Sequence, residues 1–495
     1  MAHSEKNAAP WPSKAWGMKL AQSAAEAGLV VMEAESGAQR PIALSMSPMV
    51  VSEVTLQKCL KLSHHLMSAG LKMAYALQNS SPLERIWKAL SPLERSLMRP
   101  RPMPVLATTR VDCWPSATRL WALELNATIP AMQAYSDIAA AQTIAAHAQR
   151  LHLHPDTLAK LQEENGSNAR ALWEGLLAAY ACYRPQQQPQ RMGILCRRND
   201  AQLTELLHLQ RAFSSFGLET DLLHPEQLEA KEGFWAKGKF YDLVYRHLFV
   251  HRLEEKREGH ALLQYLLGKA NGESPLCSVV LNPPVAPVEL KATFALLSES
   301  VDNEALALLA QLSPEEREAI ALQVPWTRLF DEKTLVEPVQ QNPERYVLKK
   351  NGSYGGKAVF IGADRFEKDF AERCQQLFGK PLSWEELCQH AFESQEDGGY
   401  VVQQAIENSP QMHWLCTPAE VFSCPLYVDF SLYTSVGIQP LPHWGGVCRG
   451  SNSRVVNIQG GGGLVPLLRE EVAKHLQLEK GACPFEERAL PPHGL

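Results

Sequence analysis

The stretch Thr108–Pro130, TTRVDCWPSATRLWALELNATIP, decides how this sequence is interpreted. It is typical of two short strands joined by a turn at its Pro-Ser pair, with apolar residues dominating the second arm. Arg110 and Asp112 lie two residues apart on the first arm, and Glu124 and Asn126 repeat that spacing on the second. Because strand side chains alternate between faces, each pair is predicted to point to one side.

A surface hairpin with exposed salt bridges is the alternative interpretation of these four side chains. Exposed ion pairs contribute only about 0–1 kcal/mol. Such pairs do not explain why four polar groups stand beside so apolar an arm, so the pattern favours a functional cluster.

Length and composition limit the class of protein. The chain has 495 residues, which predicts two or three domains or lobes rather than one core. Hydrophobic residues make up 45% and charged residues 21%, as in ordinary globular proteins. A net charge of −6 argues against a nucleic-acid scaffold, whose affinity requires a strongly basic surface.

The cysteines and the first residues predict a compartment. The eleven cysteines are scattered and form no CxxC pair, which is typical of a reducing cytosol and not of a disulfide framework or structural zinc site. The start of the chain has no continuous apolar core that would indicate a signal peptide. No segment approaches the roughly 18 apolar residues of a membrane span. We therefore expect a cytoplasmic protein with no membrane association.

The N-terminal part of the chain is predicted to be mainly helical over residues 1–100. SPLER occurs at 81–85 and again at 91–95, with Ser, Pro and Glu placed as at the start of a helix. Residues 101–185 combine the hairpin with amphipathic helices. A Pro- and Gln-rich stretch at 184–190 then predicts a linker.

The pattern changes beyond the linker. Residues 190–325 alternate strands with helices, which predicts an α/β lobe with parallel strands. Within it, a strand and a Pro-rich turn precede a helix that carries Lys291. Residues 326–495 alternate strands with glycine-rich loops, so the expected fold class is α/β, in the broad sense that includes α+β.

Glycine-rich loops are the other candidates for chemistry. YVLKKNGSYGGKAVFIG places Lys349 at a strand end, before glycines 352, 355 and 356. Glycine lets backbone N–H groups approach phosphates closely, although a glycine-rich hairpin with surface lysines is an equal alternative. A second segment, NIQGGGGLVPLL, has four consecutive glycines at 460–463, which are costly to order and flanked by apolar strands. The strand GYVVQQ could offer backbone groups to an adenine ring, but taken alone it is better explained as an ordinary sheet strand.

Taken in order, these segments resemble the circularly permuted ATP-grasp ligases, the group that includes glutathionylspermidine synthase and the eukaryotic-type glutathione synthetases. The set runs from RxD, eleven residues and ExN, through Lys291, VLK and YVVQ, to an arginine and NxxGGGG. It extends from about residue 105 to 470, and the hairpin is its most specific part. The resemblance implies the ATP-grasp fold in permuted order, with a helical N-terminal region, an α/β substrate lobe and nucleotide-binding lobes at 326–495.

The resemblance also implies an activity, in which ATP and Mg²⁺ drive the joining of a carboxylate to an amine through an acyl phosphate. The family's Mg²⁺ ligands correspond to Asp112, Glu124 and Asn126, and its charge-stabilising arginines correspond to Arg110 and Arg449. The nucleotide would contact two lysines, a lid loop, an adenine-binding strand and the C-terminal glycine segment: Lys291, Lys349, Gly352, Ser353, Tyr354, Gly355, Gly356, Gln404, Ala405, Ile406, Glu407, Asn457, Gly461 and Gly462.

The partners that the resemblance implies are a small-molecule carboxylate and amine, such as an amino acid or peptide, and no nucleic acid; it leaves a homodimer open. Ser353 departs from the glutathione synthetase type, which has a metal-binding glutamate in this loop. Two alternatives therefore stay open: an ATP-binding regulatory or scaffold protein with impaired catalysis, and a small-molecule kinase that stops at phosphoryl transfer.

Overall fold

The structure is a computed structural model that describes residues 13–33, 36–77, 86–97, 103–116, 119–254, 262–263, 266, 277–395, 398–456, 458 and 462–478. Its described residues form helices and three principal sheets, which we call the large, parallel and small sheets. The first SPLER copy and two of the predicted nucleotide-binding residues, Asn457 and Gly461, lie outside the described residues.

The large sheet has eight strands and contains the predicted hairpin. In spatial order its strands are Val421–Val428, Gln411–Cys416, Ala43–Ser45, Gly463–Val465, Gly446–Ser451, Ser431–Val436, Leu106–Pro115 and Leu120–Asn126. Neighbouring strands run antiparallel, apart from the parallel pair formed by Ala43–Ser45 and Gly463–Val465.

The N-terminal part is less helical than its pattern predicts. Besides helices Lys14–Glu26 and Glu53–Ala76, it supplies strand Ala43–Ser45 to the interior of the large sheet. That strand has only three residues, too few to show a period in the sequence. The second SPLER copy does begin helix Pro92–Leu97, where Ser91 Oγ accepts from Glu94 N at 3.1 Å.

Three further helices follow the hairpin, as predicted: Gln133–Arg150, Pro155–Asn165 and Asn168–Tyr183. The last of these packs against strand Leu106–Pro115 of the large sheet. Its approach is close, because a Cβ at Gly175 would lie 2.6 Å from the carbonyl oxygen of Ala107. The glycine therefore lets the helix backbone rest directly on the hairpin strand.

The parallel sheet confirms the predicted order of strand, helix and strand. Its strands, in spatial order, are Val279–Leu281, Leu243–Arg246, Arg191–Leu195 and Glu219–Leu223, and all run parallel. Helix Leu203–Ser215 connects the last two, and Gly217 follows it with a φ of +100°. That backbone angle favours glycine, which explains why the helix ends there.

The small sheet lies in the C-terminal third and is antiparallel throughout. Its strands, in spatial order, are Thr327–Leu329, Tyr400–Gln404, Tyr346–Lys350 and Val359–Ile361. Helices Lys333–Gln341, Lys368–Phe378 and Trp384–Glu393 accompany it. Residues of these helices and strands share one apolar core, so this lobe has its own packing centre.

The other described elements connect or cover these sheets. They are helices Val250–Glu254, Lys291–Glu299, Glu304–Leu309, Pro314–Gln323 and Glu470–His475, and strands Val30–Met32, Gln39–Pro41, Met49–Val51, Glu229–Ala230, Phe234–Ala236, Lys239–Tyr241 and Leu467–Arg469. Within the described ranges, no helix has the length and apolar character needed to cross a bilayer.

Candidate functional site

A cavity of about 560 Å³ lies where the three principal sheets meet. The hairpin forms one wall, and the small sheet with its Lys350–Ala358 loop forms a second. Loops that follow the carboxyl ends of two parallel-sheet strands complete it. Segments widely separated in the sequence therefore converge on one volume large enough for a nucleotide-sized ligand.

The hairpin brings its polar residues together in the predicted register. Arg110 stands opposite Asn126, and Asp112 stands opposite Glu124, across the antiparallel pair. All four line the cavity. The prediction that each pair points to one side is confirmed, and the alternative of a solvent-exposed hairpin is wrong because Arg110 and Asp112 are 6% and 3% exposed.

A buried ion network surrounds Asp112. Arg110 donates to both of its carboxylate oxygens, with Nε to Oδ1 at 2.5 Å and Nη2 to Oδ2 at 3.0 Å. Arg449 adds a bond from Nη2 to Oδ2 at 2.7 Å. The second carboxylate of the network is Asp429, which accepts from Arg449 N and Nε, both at 2.7 Å. Two guanidinium groups thus alternate with two carboxylates.

The electrostatics of this network follow from its burial and charge order. Burial raises the pKa of a carboxyl group, yet Arg110 and Arg449 hold the pKa of Asp112 well below its usual range. Asp429 faces Arg449 alone, and burial there prevails and raises its pKa. Asp112 is therefore the firmly ionised member of the network.

Two lysines from different elements approach the second arm of the hairpin. Lys291 opens helix Lys291–Glu299, and its Nζ donates to Glu124 Oε2 at 2.6 Å. Lys349, on strand Tyr346–Lys350, donates from Nζ to the carbonyl oxygen of Leu123 at 3.2 Å. Since these acceptors belong to consecutive residues, the two ammonium groups lie against the same short stretch of strand.

Both lysines are largely buried, at 7% and 8% exposure for Lys291 and Lys349. Burial disfavours the ammonium form and lowers the pKa of Lys349 to about 8, while the carboxylate of Glu124 opposes the shift. Glu124 is also subject to burial, but Lys291 keeps its pKa below the ordinary value. The alternative of surface lysines on a glycine-rich hairpin is therefore wrong for Lys349.

The glycine-rich loop between Lys350 and Ala358 borders the cavity through Tyr354, Gly355 and Gly356. Gly355 and Gly356 have φ angles of +67° and +73°, which side chains with a Cβ rarely adopt. Ser353 and Gly352 do not line the cavity; Ser353 N donates to Lys350 O at 3.3 Å, and Gly352 packs on Ala89.

Tyr354 fastens this loop to the lobe of the parallel sheet. Its ring stacks on Phe249 with a centroid distance of 5.3 Å, and its hydroxyl accepts from Arg252 Nη2 at 2.9 Å. Phe249 and Arg252 line the same cavity. The loop therefore spans from the small sheet to the parallel sheet and covers part of the cavity.

The predicted adenine-binding strand borders the cavity at Gln404, Ala405 and Ile406. Two of its backbone donors have partners within the protein, since Gln404 N donates to Trp326 O and Ala405 N to Arg345 O, each at 2.8 Å. Fewer backbone groups can therefore bind adenine than predicted, because these two N–H groups are not available to a base. Lys291, Glu407 and Gly462, which were also expected to take part, are absent from the described cavity lining. Lys291 contacts that lining through its bond to Glu124.

Several cavity residues were not predicted from the sequence. Asp429 is one of them, and the parallel-sheet loops contain no recognisable motif. Those loops contribute Arg197, Asp200, Gln202, His247, Phe249 and Arg252 to the lining. The available signal was positional, because ligands of parallel sheets bind beyond the carboxyl ends of the strands.

The donor set fits a magnesium-bound triphosphate. Glu124 and Asn126 offer a carboxylate and an amide, the hard oxygen ligands that Mg²⁺ favours. Within the described residues, no three His, Cys, Asp or Glu side chains gather as a metal group by themselves. Phosphate oxygens and water would therefore have to complete the shell, as is usual for Mg²⁺.

The charge count supports the same ligand. Arginines and lysines outnumber carboxylates in the cavity lining, which contains Arg110, Arg197, Arg252, Lys349, Lys357, Arg449 and Arg454 against Asp112, Glu124, Asp200 and Asp429. A net positive cavity with low exposure attracts an anion strongly, since few waters screen the interaction.

The described residues form a mixed helix and sheet fold. No protein-family model and no curated protein matches the sequence. The structure resembles that of a glutathione synthetase-like effector (GSS30) from Globodera pallida in the apo form, with a TM-score of 0.58 and 12% identity over 92% of this chain and 96% of that chain. This similarity concerns the fold alone.

Two other solved structures are more distant. A proposed gamma-glutamylcysteine synthetase from Methylobacillus flagellatus KT gives a TM-score of 0.37 and 13% identity, covering 81% of this chain and 87% of that chain. The ATP-grasp ligase PsnB complexed with its minimal precursor gives a TM-score of 0.27 and 10% identity, covering 56% of this chain and 89% of that chain.

Proposed function

We propose that the protein is an ATP-dependent carboxylate–amine ligase that forms an amide or peptide bond and releases ADP and phosphate. One observation carries the proposal: buried Lys291 and Lys349 converge on the same hairpin that holds Arg110, Asp112, Glu124 and Asn126. Such a set of cations and hard oxygen ligands is suited to a triphosphate and its metal. The order of the segments supports the permuted form of the ATP-grasp fold.

The reaction has two balanced steps. A carboxylate oxygen of the acid attacks the γ-phosphorus, the bond to the β-phosphate bridging oxygen breaks, and ADP leaves. The amine nitrogen then attacks the acyl carbon, the carbon–oxygen bond to phosphate breaks, and the nitrogen loses a proton as the amide forms. No side-chain nucleophile is required, so positioning and charge stabilisation supply the catalysis.

The residues have separable roles in this scheme. Lys291 and Lys349 hold the phosphates, and Glu124, Asn126 and Asp112 would hold Mg²⁺, which would neutralise phosphate charge. Arg110 and Arg449 stabilise the negative charge on the transferred phosphoryl group and the attacking carboxylate.

The remaining roles belong to the cavity's edges. The loop with Tyr354, Gly355 and Gly356 covers the phosphates and excludes water from the acyl phosphate. Adenine lies against Gln404, Ala405 and Ile406. The acid and the amine are small molecules, of which amino acids and peptides are the first candidates, and they occupy the end lined by the parallel-sheet loops.

The test is ADP release from Mg-ATP with pooled amino acids and pooled amines, alone and together. We expect fast release only when acid and amine are both present, and its loss in Glu124→Gln. Glu304→Gln is the matched control, because Glu304 pairs with Arg317 on the exposed surface. Release of AMP instead of ADP would exclude the acyl phosphate, and a stable phosphorylated acid would indicate a kinase.

A further inference from the structure

Asn351 is a buried side chain directly beyond the strand that carries Lys349, and the proposed reaction gives it no part. It is 1% exposed. Its Oδ1 accepts from Ala292 N at 2.9 Å, and its Nδ2 donates to the carbonyl oxygens of Ile86 at 3.2 Å and Gly398 at 3.1 Å. One amide group thus joins backbone groups of three segments that are far apart in the sequence.

The hydrogen bond from Ala292 N to Asn351 lies at the start of the helix that carries Lys291. Helix Lys291–Glu299 starts after Leu290, whose side chain has no oxygen and makes no capping bond. The first N–H groups of a helix have no partner within the helix and need an acceptor from elsewhere. Asn351 supplies that acceptor for the residue next to Lys291.

The other two hydrogen bonds hold Asn351 against the segments that contain Ile86 and Gly398. Ala89, in the segment that begins at Ile86, packs between two glycines: a Cβ at Gly352 would lie 2.9 Å from Ala89 O, and one at Gly398 would lie 2.8 Å from Ala89 Cβ. Such close approaches of the backbone are possible only because both positions are glycine. The start of the glycine-rich loop is therefore held against the N-terminal part of the chain.

We propose that Asn351 is a positioning residue that caps the Lys291 helix from the phosphate-loop side and so sets the place of the Lys291 ammonium group relative to Lys349. This rests on the proposed nucleotide site. Lys349 lies on strand Tyr346–Lys350, two residues before Asn351, so the cap ties the two lysines to one frame. Both ammonium groups then meet the triphosphate at a fixed spacing beside Leu123 and Glu124.

The experiment compares the binding of Mg-ATP and AMP by calorimetry in Asn351→Ala. Loss of the cap is expected to weaken Mg-ATP binding about tenfold, which corresponds to about 1.4 kcal/mol and is of the order that a helix cap or a buried hydrogen bond contributes. AMP lacks the β- and γ-phosphates, so its affinity should stay within about twofold. A variant that was merely less stable would lose both ligands alike.

Asn168→Ala is the matched control. Asn168 is also a buried amide that bonds backbone groups, with Oδ1 accepting from Gly445 N at 3.0 Å and Nδ2 donating to Gly446 O at 3.2 Å, and it does not line the cavity. Its removal should lower thermal stability without changing the ratio of the two affinities. Asn351→Asp retains the acceptor for Ala292 N and should keep most of the preference for Mg-ATP.

A double-mutant cycle then tests the route through Lys291. If Asn351 acts by placing Lys291, then Asn351→Ala should cause no further loss of Mg-ATP affinity once Lys291→Met is present. The inference is overturned if the losses of Mg-ATP affinity are additive, or if Asn351→Ala leaves the ratio of Mg-ATP to AMP affinity unchanged. It is also overturned if Asn351→Asp loses as much Mg-ATP affinity as Asn351→Ala, or if the unaltered protein does not prefer Mg-ATP to AMP. Failure to form an amide with any acid and amine would refute the ligase alone, because these measurements need no turnover.

Discussion

The buried Lys349 predicts that ATP binding depends on pH above neutrality. Without nucleotide its pKa is about 8, because burial disfavours the ammonium group. The triphosphate supplies negative charge beside that group and restores a higher pKa in the complex. The complex therefore binds more protons than the free protein, and affinity must fall as the pH rises through 8.

The size of the effect follows from that pKa. With a pKa of about 8, Lys349 is about nine-tenths protonated at pH 7 and about one-tenth protonated at pH 9. The population able to bind the triphosphate falls correspondingly, and the dissociation constant should rise about tenfold between these pH values. At pH 8, binding should take up about half a proton, which calorimetry in buffers of different ionisation enthalpy measures directly.

Lys349→Arg provides the control for this prediction. A guanidinium group stays charged at pH 9, so the variant should lose the Lys349 share of the pH dependence even if its affinity at pH 7 is lower. Glu205, whose pKa burial raises to about 8, titrates in the same range but is present in both proteins. The difference between the two profiles therefore isolates Lys349. Parallel profiles, or a flat profile of the unaltered protein between pH 7 and pH 9, would refute the reasoning.

Three substitutions test other parts of the site. Asp429→Asn removes a buried anion from Arg449 and should cost about 3 kcal/mol in urea unfolding, since breaking a buried ion pair leaves a desolvated charge; a loss below about 1 kcal/mol would contradict the buried network. Asn282→Ala removes amide hydrogen bonds to backbone groups of the hairpin, so the free energy of unfolding should fall by about 3 kcal/mol while the circular dichroism spectrum of the folded protein stays the same. An unchanged free energy of unfolding would show that the hairpin does not depend on Asn282. Tyr354→Phe keeps the ring but loses the bond from Arg252, so the KM for ATP should rise about threefold with kcat nearly unchanged; an unchanged KM would show that the loop is not held by this contact.

The hairpin could be predicted because all of its information is local. Arg110, Asp112, Glu124 and Asn126 stand at strand spacing within one short stretch, and the antiparallel register then places them together. The parallel sheet could be predicted for a similar reason, since alternating strands and helices allow few topologies. Both features needed only the order of residues along a continuous segment.

Asp429 could not be predicted, because its role arises from a contact with Arg449 on a neighbouring strand and, through it, with Asp112. A single aspartate in an apolar strand carries no local sign of such a partner. Strand Ala43–Ser45 was missed for a related reason: it is short, and its neighbours in the large sheet come from the C-terminal half of the chain. Pairing at that separation leaves no mark on a single sequence.

The cap of the Lys291 helix is a single hydrogen bond that also could not be predicted from the sequence. Leu290 precedes the helix where Ser, Thr, Asp or Asn is favoured, so the local sequence contains a weak start signal. The acceptor comes from Asn351, beyond Lys349 on a different lobe. A departure from local preference thus coincides with a long-range contact, as expected where function and not local propensity sets the geometry.

The cost of the buried ions bears on what the network is for. Removing Arg110, Asp112, Arg449 and Asp429 from water is unfavourable, and well-packed apolar residues often stabilise a core at least as well. The network is therefore poorly explained as a device for stability, even though breaking it piecemeal would be damaging. The cavity that the network borders has more arginine and lysine side chains than carboxylates in its lining. A polyanion entering this volume would meet charges that are already desolvated and oriented, and its binding would offset part of the free energy that their burial costs during folding.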